Sequence, residues 1–213
     1  DTDKVVKLLN SAKKMGIEIM PPNVNTSFAD FRSISDTCIA YGLAAIKNHG
    51  SKAATAIAHH REESGDYKTL FDLCQIGSHI INRKALEALV QAGACDHLEG
   101  HRAQQFEVID DALRWGQKMN EEAASSQESL FGGTADVAAI AVPPLPDVEE
   151  WTSEDCLRRE KEIIGFYLSG NPLEKYMDDI KEFANINLAD IPKKKPEEIR
   201  IGGIIKTVNI RYD

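Results

Sequence analysis

The spacing of apolar residues along the chain predicts a mainly α-helical protein. Apolar side chains recur at positions i, i+3, i+4 and i+7, the period of a helix with one buried face. In the first segment this stripe consists of Val5, Leu8, Leu9 and Ala12. Helices are predicted over residues 1–15, 51–64, 69–73, 82–91, 101–119, 152–164 and 171–183.

Polar residues that favour helix starts support these boundaries. Thr69 with Asp72, and Thr152 with Asp155, have the spacing of capping boxes. Ser51 and Asn82 are single candidate N-caps, and Asn171 stands before a proline, which is favoured at the first helical position.

Two segments have the period of strands instead. Ile17-Glu18-Ile19 alternates, and the path from there to Ser35 is predicted to be loop. Near the end, apolar residues stand at odd positions before Gly202-Gly203 and mostly at even positions afterwards. This change of phase is typical of a β-bulge in a bent strand, and such a strand needs partner strands.

Charge is unevenly distributed along the 213 residues. The net charge is −9, and residues 104–160 carry 13 acidic and four basic side chains while the rest is neutral. Within that stretch, residues 121–150 are rich in Ala, Ser, Gly, Pro and acids, which predicts a flexible linker. Because the acidity is local, it does not exclude a nucleic-acid contact within residues 41–103.

Several classes of protein are disfavoured. No apolar run reaches the roughly 18–20 residues of a membrane span. The four cysteines form no Cys-x-x-Cys pair, which favours a reduced, cytoplasmic protein. The chain begins with Asp1 and has no leader pattern, so we expect a piece of a longer protein.

Two helix–turn–helix units are the candidate binding elements. Asn48-His49-Gly50 joins Leu43–Ile46 to the helix at Ser51, and Ala92-Gly93-Ala94 leads towards the helix from His101. A glycine turn beside a helix N-terminus lets backbone amides approach a phosphate. An ordinary pair of packed helices is the alternative. The candidate DNA contacts are Lys47, Asn48, His49, Gly50, Lys52, Arg83, Lys84, Gly93 and Arg102.

The linker contains one apolar pair, Leu130-Phe131. It fits a peptide that docks into a partner, or one that folds back onto the domain. No arrangement of residues indicates a catalytic centre or a metal site, so neither is assigned.

Four segments in order resemble the alpha-subunit family of bacterial DNA polymerase III, a replicative C-family polymerase. They are residues 15–25, 41–48, 82–94 and 163–173, for example Tyr41-Gly42-Leu43-Ala44-Ala45-Ile46-Lys47-Asn48. The resemblance implies the end of the fingers domain (1–40), a tandem helix-hairpin-helix module (41–118), an acidic linker (119–150), a helical connector (151–185) and the start of an OB-fold (186–213). Asn48 stands where the family usually has glycine.

The resemblance also implies partners. Gln127, Ser129, Leu130 and Phe131 match the family's sliding-clamp-binding motif. Duplex primer–template DNA, the clamp (the beta subunit) and other replicase subunits would be partners, and no membrane would be. Polymerase activity would depend on palm aspartates and Mg²⁺ outside this chain, which would be inactive alone and need no cofactor.

Two alternatives remain. One is a protein-interaction module of a replication or repair complex that does not contact DNA. The other is a different helix-hairpin-helix repair protein.

Overall fold

Helices form most of the regular structure, as the apolar spacing predicts. A computed structural model describes residues 2–77, 79–128, 141–186, 198–205 and 208–210, without the side chains of residues 2, 3 and 126–128. The chain divides into unit 1, residues 1–169, and unit 2, residues 170–213. The helices are α1 (Thr2–Lys14), α2 (Ser51–Ser64), α3 (Leu70–Cys74), α4 (Arg83–Gln91), α5 (Arg102–Glu107), α6 (Ile109–Glu128), α7 (Ser153–Ile164) and α8 (Met177–Phe183), with 3₁₀ turns at Leu43–Ala45 and Glu174–Tyr176.

A small sheet follows α1. Its strands are β1 (Glu18–Met20), β2 (Arg32–Ser35) and β3 (Cys38–Ala40), in the order β1-β3-β2. β1 runs parallel to β3, with Ile19 opposite Ile39, and β2 is antiparallel to β3. The predicted loop is therefore confirmed for residues 21–31 and wrong for residues 32–35, which form β2. All four residues of β2 are exposed, so its sequence lacks the alternation that marks a half-buried strand.

The core of unit 1 contains residues from most of its helices. α3 packs closely against α6 at Gly116, where an added methyl group would lie 2.4 Å from the carbonyl oxygen of Cys74. Only glycine permits this approach of helix to backbone. Completely buried apolar side chains include Leu43, Ile57, Leu73, Leu86, Leu89 and Ile109.

Polar contacts attach the segment after β1 to α2 and the loop that follows it. The Asn25 side chain pairs with the backbone of Tyr67, donating to its carbonyl at 2.8 Å and accepting from its amide at 2.9 Å. Arg61 Nη1 donates to the carbonyls of Val24 and Ser27. These bonds satisfy buried backbone groups of an irregular segment.

Some helix boundaries differ from prediction. Gly50, not Ser51, is the N-cap of α2; its carbonyl accepts from the Ala54 amide, but no side chain caps the helix. The single helix predicted over residues 101–119 is divided into α5 and α6 at Val108. Asn171 caps only a turn, accepting from the amide of Leu173 at 3.0 Å. Leu8, expected on the buried stripe of α1, is 71% exposed.

The predicted linker is partly structured. α6 continues to Glu128. Residues 121–125 have a composition that is also common in linkers, but most of them are good helix formers, which explains why the helix extends through them. After the undescribed residues 129–140, the chain is irregular, but Leu145 and Trp151 pack against the core. The flexible-linker prediction is therefore wrong for both ends of residues 121–150.

Unit 2 contains α8 and an irregular C-terminal segment. The Asn185 backbone amide donates to the carbonyl of Arg200, and the Arg200 amide donates to Asn185 Oδ1. Residues 198–205 and 208–210 contain no assigned strand, so the predicted OB-fold strand is absent from these described residues. A strand requires a hydrogen-bonded partner, which apolar alternation alone does not supply.

We expect Gly116→Ala to lower the midpoint of thermal unfolding. Glycine to alanine in a helix ordinarily stabilises by about 1 kcal/mol, but here the methyl group would clash with the backbone of α3. The expected net loss is about 2 kcal/mol. Thermal unfolding followed by circular dichroism measures it, with Ser125→Ala on the exposed face of α6 as the control. A higher midpoint for Gly116→Ala would contradict the packing of α3 on α6.

Candidate nucleic-acid interface

The first hairpin, residues 47–50, is exposed except for one residue. Lys47, Asn48 and Gly50 are exposed, whereas His49 is 3% exposed. Ser51 and Lys52, which open α2, are exposed as well. The turn therefore presents its backbone and polar side chains to solvent, while the His49 ring is buried beneath it.

The backbone of the first hairpin leaves the start of α2 available to a ligand. Asn48 has φ +64° and Gly50 has φ +76°, both in the left-handed region. Asparagine tolerates this region better than most residues, so it can replace the family's usual glycine at position 48. No side chain caps α2, and its first turn carries no acidic residue. Uncapped amides at a helix N-terminus form a favourable environment for an anion.

His49 connects the first hairpin to the first turn of α4. Neither ring nitrogen has a hydrogen-bond partner among the described residues, and the ring lies against the backbone of Ala85. Burial lowers the pKa of His49 to about 4, with the Ala85 backbone acting in the opposite direction. The ring is therefore neutral at pH 7, and it places the hairpin beside the α4 residues Arg83 and Lys84.

The predicted basic contacts differ in availability. Lys47 Nζ donates to the carbonyl of Glu162 at 2.9 Å, where it caps the end of α7. Arg83 pairs with Glu87 and Asp110. Lys52 and Lys84 are exposed and form no ion pair with a described residue. These two lysines are the cations best placed to attract phosphate.

Gly93 and Arg102 lie at the other end of α4. Gly93 is buried in a Schellman cap, in which its amide donates to Val90 and the Ala94 amide donates to Leu89. Arg102 is 13% exposed and forms two hydrogen bonds with Asp96, at 2.7 and 2.6 Å. The geometry gives both residues structural contacts, and their DNA contacts stay predictions.

A groove beside α2 was missed by the sequence reasoning. It has a volume of about 570 Å³ and combines polar residues of α2 with the apolar side chains of the loop before α4. Its lining includes Ser51, Lys52, Thr55, His59, Ile76 and Ile80. The polar residues at every fourth position of α2 could have indicated this surface. The loop that forms the other side of the groove is brought there only by folding, so the sequence alone did not reveal the groove.

The other candidate site lies largely outside the described residues. The Gln127 side chain and residues 129–131 are not described, so the structure does not test the clamp-binding motif. In the parts of the chain that are described, no cluster of His, Cys, Asp or Glu could hold a metal ion. The same parts contain no helix with the length and apolar character needed to cross a membrane.

The comparisons agree with the two-hairpin geometry. A family model described as a helix-hairpin-helix motif matches residues 16–105, which include the first hairpin and α2 to α4. The fold and this match place the region among helix-hairpin-helix proteins. DNA polymerase III subunit alpha of Vibrio cholerae is 31% identical over 96% of this chain, that of Thermus aquaticus 36% over 90%, and that of Escherichia coli K12 30% over 99%.

The resemblance to the alpha-subunit family of DNA polymerase III is therefore confirmed, and it extends along nearly the whole chain. This chain spans only 18%, 15% and 18% of the length of those three relatives. The similarity thus concerns one part of a much longer protein.

We expect stability to decrease between pH 6.5 and 4 because of His49. Its folded pKa, about 4, is below the usual 6.5, so the unfolded chain binds the proton more readily in this range. The contribution is complete above pH 6.5, is lost as the pH falls towards 4, and amounts to about 3 kcal/mol at most.

The measurement is urea unfolding at several pH values for the natural chain and His49→Leu. The variant should be at least as stable at pH 7.5, since it removes two unpartnered buried nitrogens, and should lose less stability on acidification. His59→Leu, at an exposed histidine, is the control and should keep the natural pH dependence. Equal pH dependence in all three chains would contradict a buried neutral His49.

Proposed function

We propose that this chain holds duplex DNA by its phosphate backbone and contributes to processive DNA synthesis by a replicative polymerase. The observation that carries the proposal is the exposed, uncapped N-terminus of α2 at the first hairpin, with Lys52 beside it. Amides and a lysine of this kind attract phosphate without distinguishing bases. The grip would be independent of sequence, as replication requires.

The neighbourhood of the first hairpin supports more than one phosphate contact. The His49–Ala85 contact sets the N-terminus of α4, with Lys84, close to the N-terminus of α2. The uncapped N-terminus of α2 with Lys52, and the exposed Lys84 at the Asn82-capped start of α4, suit a ligand with several negative charges. Each neutralised phosphate releases counterions, so the affinity should depend steeply on salt.

We further propose that Gln127, Ser129, Leu130 and Phe131 bind the sliding clamp. The proposal is supported by the match of these residues to the motif and by their position in the sequence, with Gln127 in the last turn of α6 and the other three just beyond its end. A second attachment raises the effective concentration of the polymerase at the clamp. Weak DNA contacts and a weak clamp contact would then act together.

The relatives' names indicate that the parent is a DNA-directed DNA polymerase. In this proposal, nucleotidyl transfer and the Mg²⁺ that it needs belong to another part of the parent, and the chain alone is inactive. The other proposed partners are further replicase subunits, and the proposed location is the cytoplasm.

A module that binds only proteins is the rival function, since packed hairpin helices need not touch DNA.

We expect Gly50→Ala and Lys52→Ala to weaken binding of a duplex oligonucleotide several-fold. Gly50 has φ +76°, so an added methyl group strains the turn that aims the α2 amides. Loss of Lys52 should reduce the slope of log affinity against log salt by about 0.9. Fluorescence anisotropy over a range of salt concentrations measures both effects.

Gly65→Ala provides a matched control at the opposite end of α2. Gly65 also has positive φ, and a methyl group at Gly50 or Gly65 would meet no atom within 4 Å. Both variants should therefore lose similar stability, about 1–2 kcal/mol, but only Gly50→Ala should lose DNA affinity. Failure of the natural chain to bind duplex DNA at low salt would favour the protein-only function.

We expect the double substitution Leu130→Ala/Phe131→Ala to abolish binding of the chain to its cognate sliding clamp. The two apolar side chains are the anchors that a docking pocket would desolvate. Surface plasmon resonance with immobilised clamp tests this, with Val137→Ala/Ile140→Ala as the control from the same segment. Undiminished binding by the first variant would exclude these residues as the clamp contact.

A further inference from the structure

The second hairpin, meaning residues 92–101 between α4 and α5, is covered near Gly100 by another part of the chain, whereas the first hairpin is exposed. The covering residues are Pro143–Pro146, here called the proline strap. Leu145 Cδ1 would lie 2.5 Å from a methyl group placed on Gly100, and Gln104 Nε2 donates to the carbonyl of Pro146 at 3.0 Å. Gly100 and Gln104 flank the start of α5, so the strap lies on the turn that leads into that helix.

The strap also reaches the start of α3. Val142, Pro143, Pro144 and Leu145 face Thr69–Phe71 and Glu99 across a cavity of about 180 Å³. Leu145 is partly buried and packs against the core of unit 1. Proline restricts the backbone of the strap before it docks, which lowers the entropy cost of holding it there.

A second anchor lies just beyond the strap. The Trp151 ring is 5.4 Å from the Phe106 ring of α5, measured between centroids. The Arg159 guanidinium carbon lies 4.0 Å from the centroid of the Trp151 ring, in a cation–π contact. The residues from 143 to 151 are therefore attached at one end to the second hairpin and at the other to α5, the helix that follows it.

The charges at the covered hairpin do not suit DNA. Asp147, Glu149 and Glu150 are exposed on the segment between the two anchors. Arg102 is already paired with Asp96, and the Arg159 guanidinium is held over the Trp151 ring. Carboxylates within a Debye length, about 8–10 Å, repel phosphate at ordinary ionic strength.

We propose that the second hairpin is the docking site of the proline strap, and that it does not contact DNA. The two hairpins would then divide their tasks: the first holds phosphate, and the second holds the chain that follows residues 129–140. Because α6 ends at Glu128 on the same unit, both ends of residues 129–140 are attached to unit 1. The phosphate-holding task of the first hairpin rests on the proposed function, but the docking itself does not.

The test compares Leu145→Asp with Ala141→Asp, which adds the same charge at an exposed position outside the strap. A glutamate-specific protease cleaves after Glu149 and Glu150 only when the segment leaves the hairpin. We expect Leu145→Asp to accelerate cleavage there about tenfold and Ala141→Asp to leave it unchanged. Equal cleavage rates in the natural chain and Leu145→Asp would overturn the docking site.

DNA affinity provides the second measurement on the same proteins. Leu145→Asp should bind duplex DNA no more tightly than Ala141→Asp, because the strap covers no DNA contact and its release only frees carboxylates that repel phosphate. Stronger binding by Leu145→Asp than by Ala141→Asp would mean that the strap covers a DNA contact, which would overturn the division of tasks. If the natural chain bound no DNA, the proposed function would fail while the protease comparison would still decide the docking.

Discussion

The exposed face of the first hairpin depends on the burial of one side chain, His49. Its neighbours Lys47, Asn48 and Gly50 are all exposed, so this ring is what the turn packs into unit 1, in addition to the hydrogen bonds from Lys47 to the end of α7. The ring is kept neutral by burial and meets the backbone at the start of α4. Burying a neutral polar ring without partners costs free energy. Its burial keeps the turn in the position in which the amides at the start of α2 face solvent.

The two hairpins show why a glycine pattern alone does not define a phosphate site. A methyl group at Gly50 would meet open space, whereas one at Gly93 would lie 2.2 Å from Arg102 Nη2. The same residue type thus serves an open turn in one place and a close contact in the other. What separates them is the surrounding structure, which the local sequence does not contain.

Features that depend on local sequence were predicted well. Thr69, Asn82 and Thr152 each cap a helix as their positions indicate, because capping involves residues only three apart. β2 was missed because its residues are exposed, and the docking of Leu145 was missed because its partner, Gly100, is distant in sequence. For the candidate site, the sequence supplied the first hairpin and the candidate cations, but not the contacts of Lys47 with Glu162, of Arg102 with Asp96 and of Arg83 with Asp110.

The distribution of charge gives the strap a further consequence. Residues 104–160 carry the entire negative excess of the chain, and a mobile acidic segment would compete with DNA for uncapped amides and for Lys52. Docking at Gly100 and at Phe106 holds three of these carboxylates, Asp147, Glu149 and Glu150, at the second hairpin. The anchored segment therefore cannot neutralise the first hairpin, so a chain of net charge −9 can keep one surface suited to phosphate.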